Sequence, residues 1–554
     1  MKPTVLEKLP PVTHYGEVVL DVEIFGAKKS QLHRPYGEFG CVTACFGGEK
    51  VYLIEKASQV ETLLNRIDGC RLIFHNATFD IMQLRRWGSL SVKPIDQFWD
   101  TMIVDKVLFS NWFGEFDLGA LARRYLGVYL EKAVREEFAD ATVMTQEQKE
   151  YAAIDAMVTH QIYKAQEPFP DYDPYSRKVW ERIDGPMTWA VLDFKGIPLD
   201  VKAWNALSKT AEAEAARIVR KLKFNVASNP QVKAKVEERL QISLPNVRED
   251  TLAEFADDKL VADILRHREC AKLASTYGRN FMEFLEADGC IYPKFNVIGA
   301  ETGRMSSSSP NAQNIPKRKE YRACFTAGKG ERMYRADYGS QEPRVIAGIT
   351  GAKVLLDGFE HGVNPHVAAG RAIFQDPTIE KDDTDQRYRN SKDLNLGLGF
   401  GLSASGLARR TGKSYEEAEL DIERYFSALP EVKQYIDRYR AEGRRNQYVR
   451  TADHRRVWLN VAYWGHRNNA INAPVQGTAA GMTKTAVVKL HRIYGEALPI
   501  CIVVHDELVG RGDKAKKKEY MRNIQNCMIE AFQELFPQVS TKKLADVFDA
   551  PNWG

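Results

Sequence analysis

Two apolar segments of this 554-residue chain carry carboxylates where a core strand would normally carry none. In EVVLDVEIF, residues 17–25, Asp21 and Glu23 are two apart. A strand turns both to one face. The flanking Val19, Leu20, Val22 and Ile24 argue for burial. Paired carboxylates there repel each other unless a cation sits between them. The plain alternative is the wet face of an edge strand. In LPICIVVHDELVG, residues 498–510, an apolar strand runs into His505, Asp506 and Glu507 at a tight turn, and a second strand leaves. Structural hairpin turns favour Gly and Asn, so three reactive residues in a row need another reason. At roughly 150 residues per domain the length allows about three or four domains, enough to keep the two segments in separate ones.

Hydrophobic residues make up 44% and charged residues 27%, the composition of a folded globular chain. Lys plus Arg exceeds Asp plus Glu by 78 − 74, or +4. That excludes a histone-like polycation and leaves room for a basic groove. No apolar run reaches membrane-spanning length, and Met1–Pro11 lacks the apolar centre of a secretory signal. The eight cysteines are scattered, and Cys41 and Cys45, the nearest pair, have no partner pair for a zinc site. They are expected as reduced thiols of a cytoplasmic protein. Up to about residue 170, strand-like segments (17–25, 71–76) alternate with helical ones (78–87, 146–165). The three prolines of 168–174 read as a linker. Residues 200–290 read as helical and basic, with Arg217, Arg220, Lys221 and Lys223 in one run. Beyond 290 come short strands, Ser- and Gly-rich loops and long helices, with a helical block near 360–440.

In RLIFHNATFD a strand runs into a helix with Asp80 in its first turns, where an isolated Asp is usually a helix-start charge. In YAAIDAMVTHQIY, Tyr151 and Asp155 are four apart and share a helix face. Hard oxygen donors of this kind suit Mg²⁺ or Mn²⁺. In TGRMSSSSPNAQNIP, from Thr302, Arg304 precedes a hydroxyl run that reads as a surface loop or a nucleic-acid contact. In RMYRADYGSQEPR a strand ends at Asp337 and a helix begins near Ser340, with Pro343 tolerated in its first turn. In RYRNSKDLNLGLGFG a helix would put Arg389, Lys392, Leu396 and Phe400 on one stripe. That stripe suits a triphosphate under the cations and a base under the ring, against the alternative of an ordinary amphipathic helix. Gly397, Gly399 and Gly401 would weaken the helix by roughly 1 kcal/mol each. NAPVQGTAAGMTKTAVVKL reads as a helix after a proline, with Asn472 and Gln476 on one face, able to read minor-groove acceptors.

The order D-x-E, N-x-x-F-D, Y-x-x-x-D resembles the three motifs of the DEDD 3′–5′ exonucleases, in the subgroup with a tyrosine in the third. From about residue 180 onward, TGRMSSSSPNAQNIP, DYGSQEPR, the Arg/Lys…GFG helix, NAPVQGTAA and VVHDELV follow the order of family A DNA polymerases. The layout is similar to the large fragment of DNA polymerase I. Its compact size is similar to that of bacteriophage polymerases and leaves no room for a preceding 5′ nuclease.

The resemblance implies a multidomain α/β and α+β fold: a ribonuclease H-like exonuclease domain (1–175), a connection (176–199), and a right-hand polymerase. The thumb would be 200–290, the palm 291–355 with 445–554, and the fingers 356–444. It implies two divalent ions, Mg²⁺ or Mn²⁺, per site. Asp21, Glu23, Asp80 and Asp155 would hold one pair, with Tyr151 orienting the attacking water. Asp337, Asp506 and the Tyr338 carbonyl would hold the other, with Glu507 and His505 lining that site. Glu342 would exclude a ribose 2′-OH, and Lys392 would neutralise phosphates and protonate pyrophosphate. His366 would touch the triphosphate, and Phe400 would pack at the template base. Arg304, Asn472, Gln476 and His505 would contact DNA. Departures from the family pattern are Ile24 for Thr, Leu396 for Phe or Tyr, Phe400 for Tyr, and Asn364-Pro365-His366 for D-I-H. Tyr388 stands at the usual fingers arginine; Arg389 is favoured for that role and Arg387 is the alternative. Expected partners are primer-template DNA, dNTPs and a phage helicase, primase or single-strand-binding protein, with no membrane and a monomeric chain. The competing readings are a single-subunit RNA polymerase, and a nuclease or DNA-binding protein with a decayed polymerase site. No Y-x-D-D hairpin supports a reverse transcriptase.

Overall fold

Strand Glu17–Phe25 has paired neighbours on both sides, and helices packed on the sheet, Ala77–Trp87 and Gln146–Gln166 among them, help bury its Val and Ile side chains. It is the fourth of six strands, in the spatial order Thr4–Leu6, Lys50–Ile54, Glu38–Cys45, Glu17–Phe25, Arg71–Phe74, Phe98–Asp100. It runs antiparallel to Glu38–Cys45 and parallel to Arg71–Phe74. The register with Glu38–Cys45 shifts just after Glu23, a bulge of the kind that re-aims a side chain. Helix Gln146–Gln166 opens on a capping box from Thr145 and packs across this strand. The structure, a computed structural model, describes residues 2–11, 16–26, 33–130, 138, 141–460, 462 and 466–554.

One buried carboxylate ties two helices to the sheet. Asp100 accepts from the N–H groups of Asn76 (3.2 Å) and Ala77 (2.8 Å), at the start of helix Ala77–Trp87. It also accepts from Met102 (2.9 Å) and Ile103 (3.1 Å), in the first turn of helix Thr101–Phe109. Each helix start leaves orphan N–H groups, and Asp100 satisfies some at both.

Residues 168–174, read as a linker, carry two short helices, Phe169–Tyr172 and Pro174–Val179, with Pro168 and Asp173 as their caps. Pro170 and Pro174 stand in first turns, where the missing N–H costs nothing. Phe169 is fully buried against Trp99, and that packing orders the segment. Helices Val201–Leu222, Asn229–Leu240 and Lys259–Thr276 follow, with a small core of their own around Val232, Val236 and Ile264.

The second large sheet is antiparallel throughout, in the order Ile500–Val504, Glu507–Asp513, Glu331–Tyr338, Ala545–Ala550. Helices His466–Tyr494 and Lys517–Gln533 pack together, the latter against this sheet. The first begins well before Asn472 and runs through Pro474, contrary to the expected start after a proline. Ala470, Ile471, Ala473 and Val475 are all buried, and this packing outweighs the roughly 3 kcal/mol cost of an internal proline. Helix Gln386–Leu398 ends earlier than expected. The N–H groups of Phe400 and Leu402 both turn back to the Gly397 carbonyl, at 3.1 and 2.9 Å. Phe400 therefore stands beyond the helix and not on the stripe of Lys392 and Leu396. All eight cysteines are free and buried. Among the described residues no helix is long and apolar enough to cross a membrane.

Asp100→Ala is expected to cost roughly 1–4 kcal/mol, two caps at 0.5–2 each, read as a lowered unfolding midpoint. A midpoint equal to that of the unaltered chain would contradict the double-cap role.

Candidate active sites

The first cluster forms where strand Glu17–Phe25 meets helix Ala77–Trp87. Asp21 and Glu23 are half-buried while their neighbours Leu20, Val22 and Ile24 are buried. Asp80 is 2% exposed and accepts from the Val22 N–H at 2.9 Å, which draws its carboxyl to the stretch of strand between the other two. Burial pushes the Asp80 carboxyl well above its ordinary value, and the charge of Asp21 adds to this. Tyr151 and Asp155 share helix Gln146–Gln166, half-buried, on the element that packs on this strand.

The second cluster is set by hairpin register. Val504 pairs with Glu507, so His505 and Asp506 form a two-residue turn. Across the sheet Asp337 lies opposite Glu507, and the Tyr338 N–H faces the Asp506 carbonyl at 3.4 Å. Asp337 is thereby brought beside Asp506. Burial, then Glu507 and Asp506, push the Asp337 carboxyl up to about 6; burial raises Asp506 too. Glu507 is buried and already engaged. It accepts from Arg322 (3.0 Å), Arg335 Nε (2.9 Å) and Trp553 Nε1 (2.9 Å). Its oxygens are held by that cage while its charge acts on Asp337 beside it.

Glu342 stands on helix Gln341–Thr350 and accepts from Arg304 at 2.8 Å. Burial raises its carboxyl against the opposing pull of Arg304. A cavity of about 20 Å³ lies beside Arg304, Gln341, Thr483, Lys484 and His505, room for one water. Asn472 and Gln476 are the half-exposed positions of an otherwise buried helical stretch.

Arg389, Lys392 and His366 form a separate group on helix Gln386–Leu398 and its neighbour Pro365–Phe374. Lys392 pairs with Asp383 at 3.2 Å, and Arg389 donates to the Asp383 carbonyl at 2.9 Å. Arg387 is held elsewhere, by Asp385 (2.7 Å) and Asp376. Leu396 is half-buried on the stripe of Lys392. Burial, then Lys392, lower His366 to about 4, so it is neutral. Its Nδ1 accepts from the Asn395 amide at 3.2 Å, which leaves Nε2–H as a donor.

Both carboxylate clusters offer hard oxygens and crowd like charges, the donor chemistry that fits Mg²⁺ or Mn²⁺. Among the described residues no three such side chains already stand as one closed metal cage.

A family model described as DNA polymerase family A matches residues 201–554, and one described as 3′-5′ exonuclease matches residues 13–168. The chain belongs to DNA polymerase family A. DNA polymerase I of Chloroflexus aurantiacus is 30% identical over 520 residues, 86% of this chain and 54% of that protein. The Pseudomonas aeruginosa DNA polymerase I is 31% identical over 74% of this chain and 49% of its own length. That of Aquifex aeolicus is 27% identical over 89% and 90%. The chain thus spans about half the length of the first two. A solved structure described as the POL domain of Pol1 from M. smegmatis in complex with DNA primer-template and dNTP has a TM-score of 0.83 at 22% identity. It covers 98% of this chain and 96% of that one, so the family A fold with its exonuclease domain extends over nearly the whole chain. These organisms are bacteria and lend no support to the expected bacteriophage origin.

Within this family A fold, several residues around the sites carry no motif. Arg322, Arg335 and Trp553 lie far from Glu507 in sequence, and only the tertiary fold brings a short helix, a neighbouring strand and the C-terminal segment together on it. Asp383 lies in an acidic loop that reads as solvated surface. Asp100 did carry a signal, an Asp directly before a helical run. Asn76, Ser340 and His505 take left-handed backbone angles (φ 68°, 55° and 56°), each at a bend beside a cluster, where strain tends to be stored.

In the metal-free protein Asp337 is expected to titrate near pH 6, read by carbon NMR of the labelled carboxyl. In the window between its ordinary value near 4 and 6 the folded state holds more protons than the unfolded, so this group favours folding as pH falls. Added Mg²⁺ should move the midpoint down. A midpoint near 4 without metal would contradict the crowding.

Proposed function

We propose that this chain is a DNA-templated DNA polymerase that extends a primer 3′-OH with dNTPs, and that its first domain is a 3′–5′ exonuclease that removes mispaired ends. The observation that carries the reading is two carboxylate clusters in one family A chain: Asp337 beside Asp506 by strand register, and Asp80 drawn against Asp21 and Glu23. The solved relative, described as bound to primer-template and dNTP, supports the substrate class. We assign 1–175 to the exonuclease, 176–199 to a connection, 200–290 to the thumb, 291–355 and 445–554 to the palm, and 356–444 to the fingers. DNA and dNTPs are cytoplasmic in a bacterial cell, and that is the location assigned.

Asp337, Asp506 and the Tyr338 carbonyl would hold two divalent ions in the palm. Asp21, Glu23, Asp80 and Asp155 would hold two in the exonuclease domain. Bound there, such ions screen developing charge and lower the pKa of the attacking oxygen. The chain's own groups do the rest. Glu507, caged by two arginines and Trp553, fixes the strand start that follows Asp506. Lys392 and Arg389 bind the triphosphate once Asp383 is displaced, and neutral His366 donates Nε2–H to a phosphate oxygen. Glu342, held by Arg304, closes the space a 2′-OH would need. Leu396 gives the sugar an aliphatic wall in place of a ring. Phe400, beyond the helix end, faces the template base. Asn472 and Gln476 donate to minor-groove acceptors. Tyr151 orients the water of the exonuclease.

The test uses Mg²⁺ and a 5′-labelled primer on a longer template, with and without dNTPs. Growth with dNTPs and shortening without them are expected. Asp506→Ala should abolish growth and keep shortening. Asp21→Ala with Glu23→Ala should do the reverse. Synthesis surviving Asp506→Ala would sink the palm assignment. Asp383→Asn should lower the KM for dNTP by up to about fivefold, since an exposed ion pair is worth at most roughly 1 kcal/mol. A raised or unchanged KM would argue against Lys392 as the phosphate ligand.

A further inference from the structure

The residues proposed to follow the primer's minor groove, Arg304, Asn472 and Gln476, come from a loop and a helix far apart in sequence. A third element joins them. Strands Tyr448–Arg450 and Arg456–Trp458 form a hairpin, and Thr451, Asp453 and Arg455 of its turn are buried. Arg455, 0% exposed, donates to Asp184 Oδ2 at 2.6 Å. The other oxygen of Asp184 accepts from Lys484 Nζ at 2.8 Å. Asp184 is equally buried and lies between the two family matches. Burial would raise its carboxyl, but Arg455 and Lys484 outweigh that and hold it below its ordinary value. A buried ion pair is weak ground for stability, because desolvation offsets the attraction. This cluster therefore calls for another role.

The Arg455 guanidinium lies directly beneath Gly303. The backbone there is left-handed (φ +83°), and a Cβ would fall 2.4 Å from Arg455 Nε and 2.8 Å from its Cζ. The flat guanidinium is thus the floor of the loop that presents Arg304. The loop closes on itself, with the N–H groups of Gly299 and Ala300 donating to the Arg304 carbonyl at 2.9 and 3.1 Å. Its Thr302 carbonyl presses on Gly477, where a Cβ would lie 2.9 Å away, next to Gln476. From the exonuclease side, Ser110 Oγ donates to the Glu301 carbonyl (2.7 Å) and Lys106 Nζ to that of Ile298 (3.3 Å).

We propose that Arg455, anchored on Asp184, is a positioning residue that holds the Arg304 loop against the helix of Asn472 and Gln476. The segment between the two domains thereby sets the grip on the primer's 3′ end. The inference rests on the polymerase reading given above.

Arg455→Lys tests it, because lysine keeps a charge for Asp184 and removes the flat surface under Gly303. The expected result is a folded protein with unchanged excision of single-stranded DNA. The KM for primer-template should rise about tenfold, equivalent to roughly 1.4 kcal/mol, with kcat at saturating primer-template retained. Gly303→Ala, which pushes a methyl into the guanidinium and spares the ion pair, should give the same split, and it decides the matter where Arg455→Lys does not fold. Extension by the unaltered chain with both variants at unchanged KM overturns the inference alone. So does a fall in kcat without a change in KM. No extension by the unaltered chain overturns the functional reading and the inference with it.

Discussion

Carboxylates crowded where water only half reaches are the constraint on which both halves of the molecule turn. Asp80 is drawn by the Val22 N–H toward Asp21 and Glu23, and Asp337 is set beside Asp506 by the register of two strands. Neither arrangement is favourable in itself. Burial and like charge lift Asp80 and Asp337 out of the ordinary carboxylate range. The surrounding sheets hold the groups in place, and a proton or a bound cation relieves the repulsion.

The scaffold supplies that force by simple means. Each cluster sits on a strand with neighbours on both sides, the first within Glu17–Phe25 and the second at the end of Glu331–Tyr338, so the backbone cannot slide without moving a buried face. Asp100 fastens two helix starts at the first cluster. At the second, Arg322, Arg335 and Trp553 fix Glu507, the first residue after the turn. The left-handed residues Asn76, Ser340 and His505 mark where the chain bends sharply to deliver each group.

Much of this was legible in the sequence. Period-two spacing gave the shared face of Asp21 and Glu23, and i, i+4 spacing gave that of Tyr151 and Asp155. The hairpin at His505 and Asp506 followed from an apolar run that stops at polar residues, though Glu507, expected in the turn, belongs to the second strand. Where the structure differs from expectation or adds to it, the causes are physical. The three-proline stretch is partly helical because prolines in first turns cost nothing and Phe169 has a core to enter. Phe400 leaves its helix because the chain turns back on Gly397 beside the left-handed Gly401, a local turn that the helical spacing does not carry. Pro474 sits inside a helix because packing outweighs propensity. The groups that hold the sites, Arg335 at Glu507, Asp383 at Lys392 and Arg455 at Gly303, are long-range pairs, invisible in one sequence.

The central proposal is that two independent carboxylate clusters bind divalent ions. Mn²⁺ binding by titration calorimetry, on the unaltered chain and on the Asp21→Ala/Glu23→Ala variant, tests it most directly. Two classes of binding in the first, with one class lost and the other unchanged in the second, is the result expected. Loss of both classes, or of neither, would contradict the account.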